Sequence, residues 1–268
     1  MSKNEETFQA IPFPVNRQHV LETLQTWALK HPIHGLLEVD VTNTRQFIQK
    51  HEARTGENLS FTGFIISCVG RAVDENKAVH ALRNWRNELI LFDSVDLTTV
   101  VEVTEGDHKF PISHIIRSVN RKTFKEIHDE IRALQMAASQ RPRSPQHKSK
   151  RLFWMVPAFA RRLFYRIASR SPRWMKRNIG TVALTAVGMF GKGGGWAIPI
   201  AITPLFITLG GIAEKPTVSH GQVEIREYLS MTITFDHDVI DGAPAARFAS
   251  RLKELIESGP DPFALGST

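Results

Sequence analysis

The sequence predicts an α+β fold, a layer of helices on one face of a mixed sheet, and three observations carry that expectation. Helix-spaced and strand-like segments are intermixed without a strict βαβ rhythm. Short alternating or β-branched runs recur between Gly35 and Phe235. The 268 residues, 42% of them hydrophobic, are enough to bury a full core.

The elements follow in order. Apolar residues at Val20, Leu21, Leu24, Trp27 and Ala28 give 17–29 helical spacing. Residues 35–41 are strand-like, and Thr42 is a candidate cap for a helix carrying Phe47 and Ile48. Ser60 starts a second, largely buried helix that runs to Ala72. Strand-like runs occupy 82–92, 97–103 and 111–117, the first with Arg86-Asn87 as a hairpin tip. Residues 122–137 form a charged amphipathic helix. Strands return at 181–187, 205–212 and 229–235, before a closing helix at 243–257.

Charge is unevenly spread. The chain has 34 Lys and Arg against 27 Asp and Glu, a net +7. Residues 131–213 hold 14 of the basic side chains and no acid, so the remainder is net negative. The basicity is local, and its partner belongs to one segment. That segment, 140–178, opens as loop-like RPRSPQHKSK and continues RLFWMVPAFARRLFYRIASRSPRWMKRN. On a helix after Pro157, Phe159, Leu163 and Ile167 share one face, Arg162, Arg166 and Arg170 follow its edge, and Arg161 lies on the far side. Such a helix suits an anionic membrane surface, an acidic carrier protein, or a cap over the protein's own core. Nucleic acid is not expected, because the run has no reading motif.

The single cysteine, Cys68, excludes a disulfide framework and reads as buried filler. The polar opening MSKNEETFQA has no apolar signal core, which predicts a cytoplasmic address, peripheral to the membrane if the basic segment docks there. The uncharged stretch 193–213 has the length of a membrane span. Pro199, Pro204 and its glycines break it into pieces better suited to buried strands.

The chemistry concentrates in TFDHDVIDGAPAARFASRLKELIES, residues 234–258, where a strand ends in His237 and a helix follows Asp241-Gly242. Asp236-His237-Asp238 is a poor metal set, since strand alternation sends neighbours to opposite faces. GMFGKGGG at 188–195 lacks the G-K-[ST] and the helix of a phosphate cradle and reads as a bend between core strands. His108, His114, His128, His147 and His220 show no ligand-like spacing and are treated as surface or loop residues.

The pattern H-x-x-x-D-G before an Ala-rich helix resembles the family that unites chloramphenicol acetyltransferase with the catalytic domains of dihydrolipoyl acyltransferases. Those domains read D-H-R-V-x-D-G-A, and this chain has Asp236-His237-Asp238-Val239-Ile240-Asp241-Gly242-Ala243. Three further matches fall in order: Arg17 heading a helix, HPIHGLLEVDVT at 31–42, and GTVALTAVGMFG at 180–191. The resemblance covers 12–258, apart from the insert at 140–178, and implies that this span is an acyltransferase catalytic domain with tails at 1–11 and 259–268.

The resemblance implies a two-layer α/β sandwich that assembles as a homotrimer with sites at subunit boundaries. It implies a coenzyme A thioester as co-substrate, no metal, and, with no lipoylatable Asp-Lys pair here, no covalent lipoate on this chain. His237 has the role of general base, for which imidazole suits neutral pH. Thr185 matches the family's oxyanion hydroxyl. Asp241 is expected to bridge to Arg17 and hold the turn, while Gly242 suits a crowded helix entry or a positive φ. His31 and His34 sit where the acceptor channel is entered, with a hydrogen-bonded structural role as the alternative for each. Three positions depart from the pattern: Asp238 replaces an Arg, Ala186 an Asn, and 198–204 an N-P-P segment. They motivate an alternative reading as a non-catalytic binding or scaffold member.

Overall fold

The computed structural model describes residues 11–14, 17, 20–22, 24–25, 30–105, 108–139, 156–188, 193–219 and 221–260. Eight strands are present among them: β1 (Pro32–Asp40), β2 (Leu82–Arg83), β3 (Leu89–Ile90), β4 (Leu97–Glu105), β5 (His108–Ile116), β6 (Val182–Ala186), β7 (Leu205–Ser219) and β8 (Gln222–Asp236). Six form one sheet in the order β1-β8-β7-β6-β4-β5, and β2–β3 is a separate hairpin. β6 runs parallel to β4 and β7; the other pairs are antiparallel. The helices are α1 (Thr42–Thr55), α2 (Phe61–Glu75), α3 (Phe124–Ser139), α4 (Ala158–Ala168), α5 (Pro172–Asn178) and α6 (Gly242–Glu257).

Alternation along the strands sorts the two faces of the sheet. Leu97, Val182, Leu184, Leu205, Ile207, Met231 and Phe235 turn to one side and share a core with Phe64, Val69, Phe248 and Leu252 of the helices. Phe235 and Phe248 meet edge to face at 5.8 Å. α2 touches α1, α3 and α6, while α3 also packs on β4 and α6 on β1. Each large side chain buried here contributes about 1.5–3 kcal/mol. The α+β expectation holds, with α1, α2, α3 and α6 layered on this core.

The other face of β8 is polar yet buried: Ser230, Thr232, Thr234 and Asp236 are at most 6% exposed. Residues 193–204 cross over it. The Gly195 amide donates to Ser230 Oγ (3.1 Å), and Trp196 Nε1 donates to the Leu37 carbonyl (3.0 Å). A Cβ at Gly210 would stand 2.0 Å from the Gly195 oxygen, and one at Gly211 1.9 Å from that of Gly193. Only glycine permits this backbone contact. The described part of the glycine-rich segment is thus the bend that its sequence predicts.

Several elements differ from expectation for identifiable reasons. Thr42 does not cap α1: its hydroxyl accepts from the Glu227 amide (2.8 Å), while Asp40 Oδ1 takes the Thr42 amide (2.9 Å). β7 and β8 extend to Ser219 and back from Gln222, well past the predicted 205–212 and 229–235. The added arm carries no core side chains, with Val218, Val223 and Ile225 all exposed. Ser60 does cap α2, accepting from the Gly63 amide (3.0 Å). The 82–92 strand is only the short β2–β3 hairpin, but Asn87 at its tip takes a left-handed φ of 66°.

Of the predicted 17–29 helix, residues 17, 20–22 and 24–25 are helical, and the rest lies outside the described residues. Its buried side chain is Glu22, while Val20 and Leu21 are exposed. His128 is no surface residue: it is buried on α3, its Nδ1 accepting from the Ser60 amide (3.0 Å). Cys68 is buried as expected, its thiol pKa pushed up to about 12 by burial. Among the described residues, no helix is long and apolar enough to cross a membrane.

Candidate active site

β8 delivers the motif. Its last residue, Asp236, opens a turn in which the Val239 amide donates to the Asp236 carbonyl (3.0 Å) and α6 starts at Gly242. The Asp236 carboxylate accepts from Lys30 Nζ and from the Asp238 amide (3.2 Å). The Asp238 carboxylate in turn meets His31 Nδ1 at 2.9 Å. Both acids beside His237 therefore have their own partners. His237 is exposed, fixed through its backbone by an amide bond to the His31 carbonyl (2.9 Å), and its ring has no hydrogen-bond partner among the described residues. An imidazole held by its backbone and free at both nitrogens is available to a substrate. Lys30, Asp236, Asp238 and Val239 line a cavity of about 330 Å³ beside it, with Arg83 and Arg166 opposite.

Thr185 lies on β6, half-buried, and its register leads straight across the sheet to Thr208 and Thr232. His237 is five residues beyond Thr232, about 17 Å along the strand, with two strand spacings of about 4.8 Å to cross. In one chain the imidazole and the Thr185 hydroxyl thus stand roughly 20 Å apart. They cannot meet on one carbonyl within a single subunit. The hydroxyls of Thr208 and Thr232, buried in the same row, find no partner among the described residues. The sequence reading missed this row, although the alternation S-x-T-x-T-x-D at 230–236 marks it.

The other predicted site residues divide. His34 Nδ1 is 2.9 Å from Thr234 Oγ1, so both His31 and His34 are hydrogen-bonded beside the turn. Among the described residues no ion pair joins Arg17 to Asp241, and Asp241 stands at the N-terminus of α6 without a side-chain cap bond. A Cβ on Gly242 would meet nothing within 4 Å, and its φ is not positive. Neither reason given for glycine there applies within one chain. Glu57, His128 and Asp129 lie close enough to share a cation. Lys125 already binds Glu57 (2.9 Å) and Asp129 (2.5 Å), and the Ser60 amide occupies His128 Nδ1, which accounts for the cluster without one.

A mixed sheet under helices, closed by an H-x-x-x-D-G turn, is the architecture of acyltransferase catalytic cores. A family model described as 2-oxoacid dehydrogenases acyltransferase (catalytic domain) matches residues 5–154 and 169–264, and the chain belongs to that family. The unmatched 155–168 contains α4. Solved structures show the same fold. A probable dihydrolipoamide acetyltransferase from Listeria monocytogenes is 17% identical with a TM-score of 0.68, covering 97% of this chain and 98% of that one. A truncated catalytic core of the 2-oxoacid dehydrogenase multienzyme complex from Thermoplasma acidophilum is 20% identical, with TM-score 0.67 and coverage of 95% and 100%.

A curated relative, the dihydrolipoyllysine-residue acetyltransferase component of the pyruvate dehydrogenase complex of Rickettsia felis, is 22% identical over 96% of this chain and 56% of its own length. The human mitochondrial succinyltransferase component of the 2-oxoglutarate dehydrogenase complex is 23% identical over 85% and 44%. The chain spans about half the length of the curated relatives it matches.

Proposed function

We propose that this protein transfers an acyl group from a thioester, coenzyme A in the first instance, to a small nucleophilic acceptor at a site shared by two subunits of a homotrimer. The observation that carries the reading is the exposed His237 on the motif turn, its ring without a partner among the described residues and some 20 Å from Thr185, the hydroxyl the family resemblance matches. A closed ring of subunits brings a different part of the neighbouring chain to each boundary. Among structures of similar fold is the cubic core of the pyruvate dehydrogenase multienzyme complex, itself an assembly.

In this reading His237 removes the acceptor's proton as it attacks the thioester carbonyl, then returns a proton to the departing thiolate. A positioned base contributes about 10²–10⁴ in rate. Thr185 of the neighbouring subunit donates to the developing oxyanion, a contact whose loss costs about 10²–10³ in kcat. Lys30 and His31 hold the flanking acids Asp236 and Asp238 in place. Asp241 occupies the fourth position after the histidine. In the Azotobacter vinelandii dihydrolipoamide acetyltransferase, a histidine and an asparagine with that spacing were probed for their role in catalysis. A link from Asp241 to Arg17, if made, joins different subunits. Release of free thiol from a panel of acyl-CoA thioesters tests the reading. Turnover is expected in the native protein, and unchanged turnover in His237→Ala refutes His237 as base.

A further inference from the structure

α4 is the part of the described chain that the family model leaves unmatched, and its chemistry differs from the rest of the molecule. It is anchored on one side: Arg161, 5% exposed, grips the buried Glu22 with Nε at 2.9 Å and Nη2 at 2.6 Å. The opposite side is bare. Phe159 is 74% exposed, Leu163 56% and Ile167 63%. Across a trough of about 950 Å³, shared with Leu163 and Ile167, stands the β2–β3 turn with Trp85 at 74%. Arg86 stacks on that indole at 4.8 Å.

Six guanidiniums surround these apolar groups: Arg83, Arg86, Arg162, Arg166, Arg170 and Arg173. None has a carboxylate partner among the described residues. The sequence just before α4, KSKRLFWM, continues the same composition.

We propose that α4 and the β2–β3 turn form a docking surface for an anionic lipid bilayer, with Phe159, Leu163 and Ile167 entering the headgroup boundary and the surrounding guanidiniums meeting lipid phosphates. An interfacial helix has this composition: apolar side chains on one face, Lys or Arg at its border, and an aromatic at headgroup depth. Phosphates alone would account for the arginines but not for so much protruding hydrocarbon. A second copy that met this surface with its own 131–213 segment would bring no acid. Because Trp85, Arg166 and Arg170 also line the cavity beside His237, a docked molecule holds that cavity's mouth at the lipid interface.

The test is sedimentation of the full chain with phosphatidylcholine vesicles containing or lacking phosphatidylserine. Binding is expected only with the anionic lipid and is expected to fall with salt. Each neutralised arginine is expected to lower partitioning about fivefold, so R162Q/R166Q/R170Q loses about a hundredfold. The matched Arg→Lys triple variant retains binding, since a bilayer reads charge, whereas a protein partner reading guanidinium geometry rejects it. F159S/L163S weakens binding without altering the helical circular dichroism. Equal binding to uncharged vesicles, or none to either, overturns the proposal. So does selective capture by an acidic acyl-carrier protein, or loss of the native oligomer in the R→Q variant. His237→Ala must bind vesicles normally, so docking and catalysis fail independently.

Discussion

The β8 turn and α4 handle charge in opposite ways. At the turn Asp236 has Lys30 and Asp238 has His31, and the imidazole between them is left unengaged. The same economy holds in the body, where Arg45, Arg117, Arg226 and Arg251 each face an acid. On α4 Arg161 is buried and paired, while Arg162, Arg166 and Arg170 make no ion pair among the described residues. Unpaired charge gathered around exposed hydrocarbon points outward, to a partner. An imidazole between two paired acids, with no partner among the described residues, is the feature on which the proposed reaction rests.

Breaking the anchor of α4 gives the largest stability effect. Glu22→Gln removes the acid that Arg161 grips through Nε and Nη2, at a cost of about 3 kcal/mol. The loss should appear as faster hydrogen exchange in α4, with the sheet less affected. A loss below ~1 kcal/mol would show that the pair is solvated and the anchor lies elsewhere.

The next effect sharpens the contrast between paired and unengaged histidines. His80 is sealed between Thr181 Oγ1 (2.8 Å) and the Phe92 carbonyl (3.2 Å), and burial pushes its pKa down to about 4. The unfolded chain takes up that proton near the ordinary value of about 6.5. Stability is therefore full above that pH and declines as pH falls from about 6.5 to 4, by roughly 3 kcal/mol. Denaturant melts across this window check it, and His80→Gln should flatten the slope whatever it does to the absolute stability.

The smallest expected change concerns the threonine row. Thr208→Val and Thr232→Val remove hydroxyls that have no partner among the described residues, so stability should move by no more than about 1 kcal/mol, toward stabilisation. A marked destabilisation would mean that those hydroxyls are satisfied by a group held between subunits.

The sequence made the layers legible because hydrophobicity on β8 is one-sided: Leu229, Met231, Ile233 and Phe235 alternate with polar neighbours, although both faces of the strand are buried. The Ser60 cap, the Asn87 tip and buried Cys68 were legible for equally local reasons. What escaped depended on distant residues. Thr42 has the composition of a cap, but Glu227 on another strand claims its hydroxyl. Glu22 looks like a solvent-facing acid until Arg161 reaches it across 139 positions. The outer arm of β7 and β8 has only the short alternation of Val223 and Ile225, and these side chains pack on no core. In the site, His237 and the helix after it were evident from the motif. The case for glycine at 242 was not visible even in the folded chain, where a side chain there has open space.

The central claim, that His237 and Thr185 act together from different subunits, has a direct test. His237→Ala and Thr185→Val are each expected to reduce thioester turnover at least a hundredfold. Co-expressing the two variants and isolating mixed oligomers should restore measurable turnover, because some boundaries then unite an intact imidazole with an intact hydroxyl. Persistent inactivity in oligomers shown to contain both chains would contradict the account.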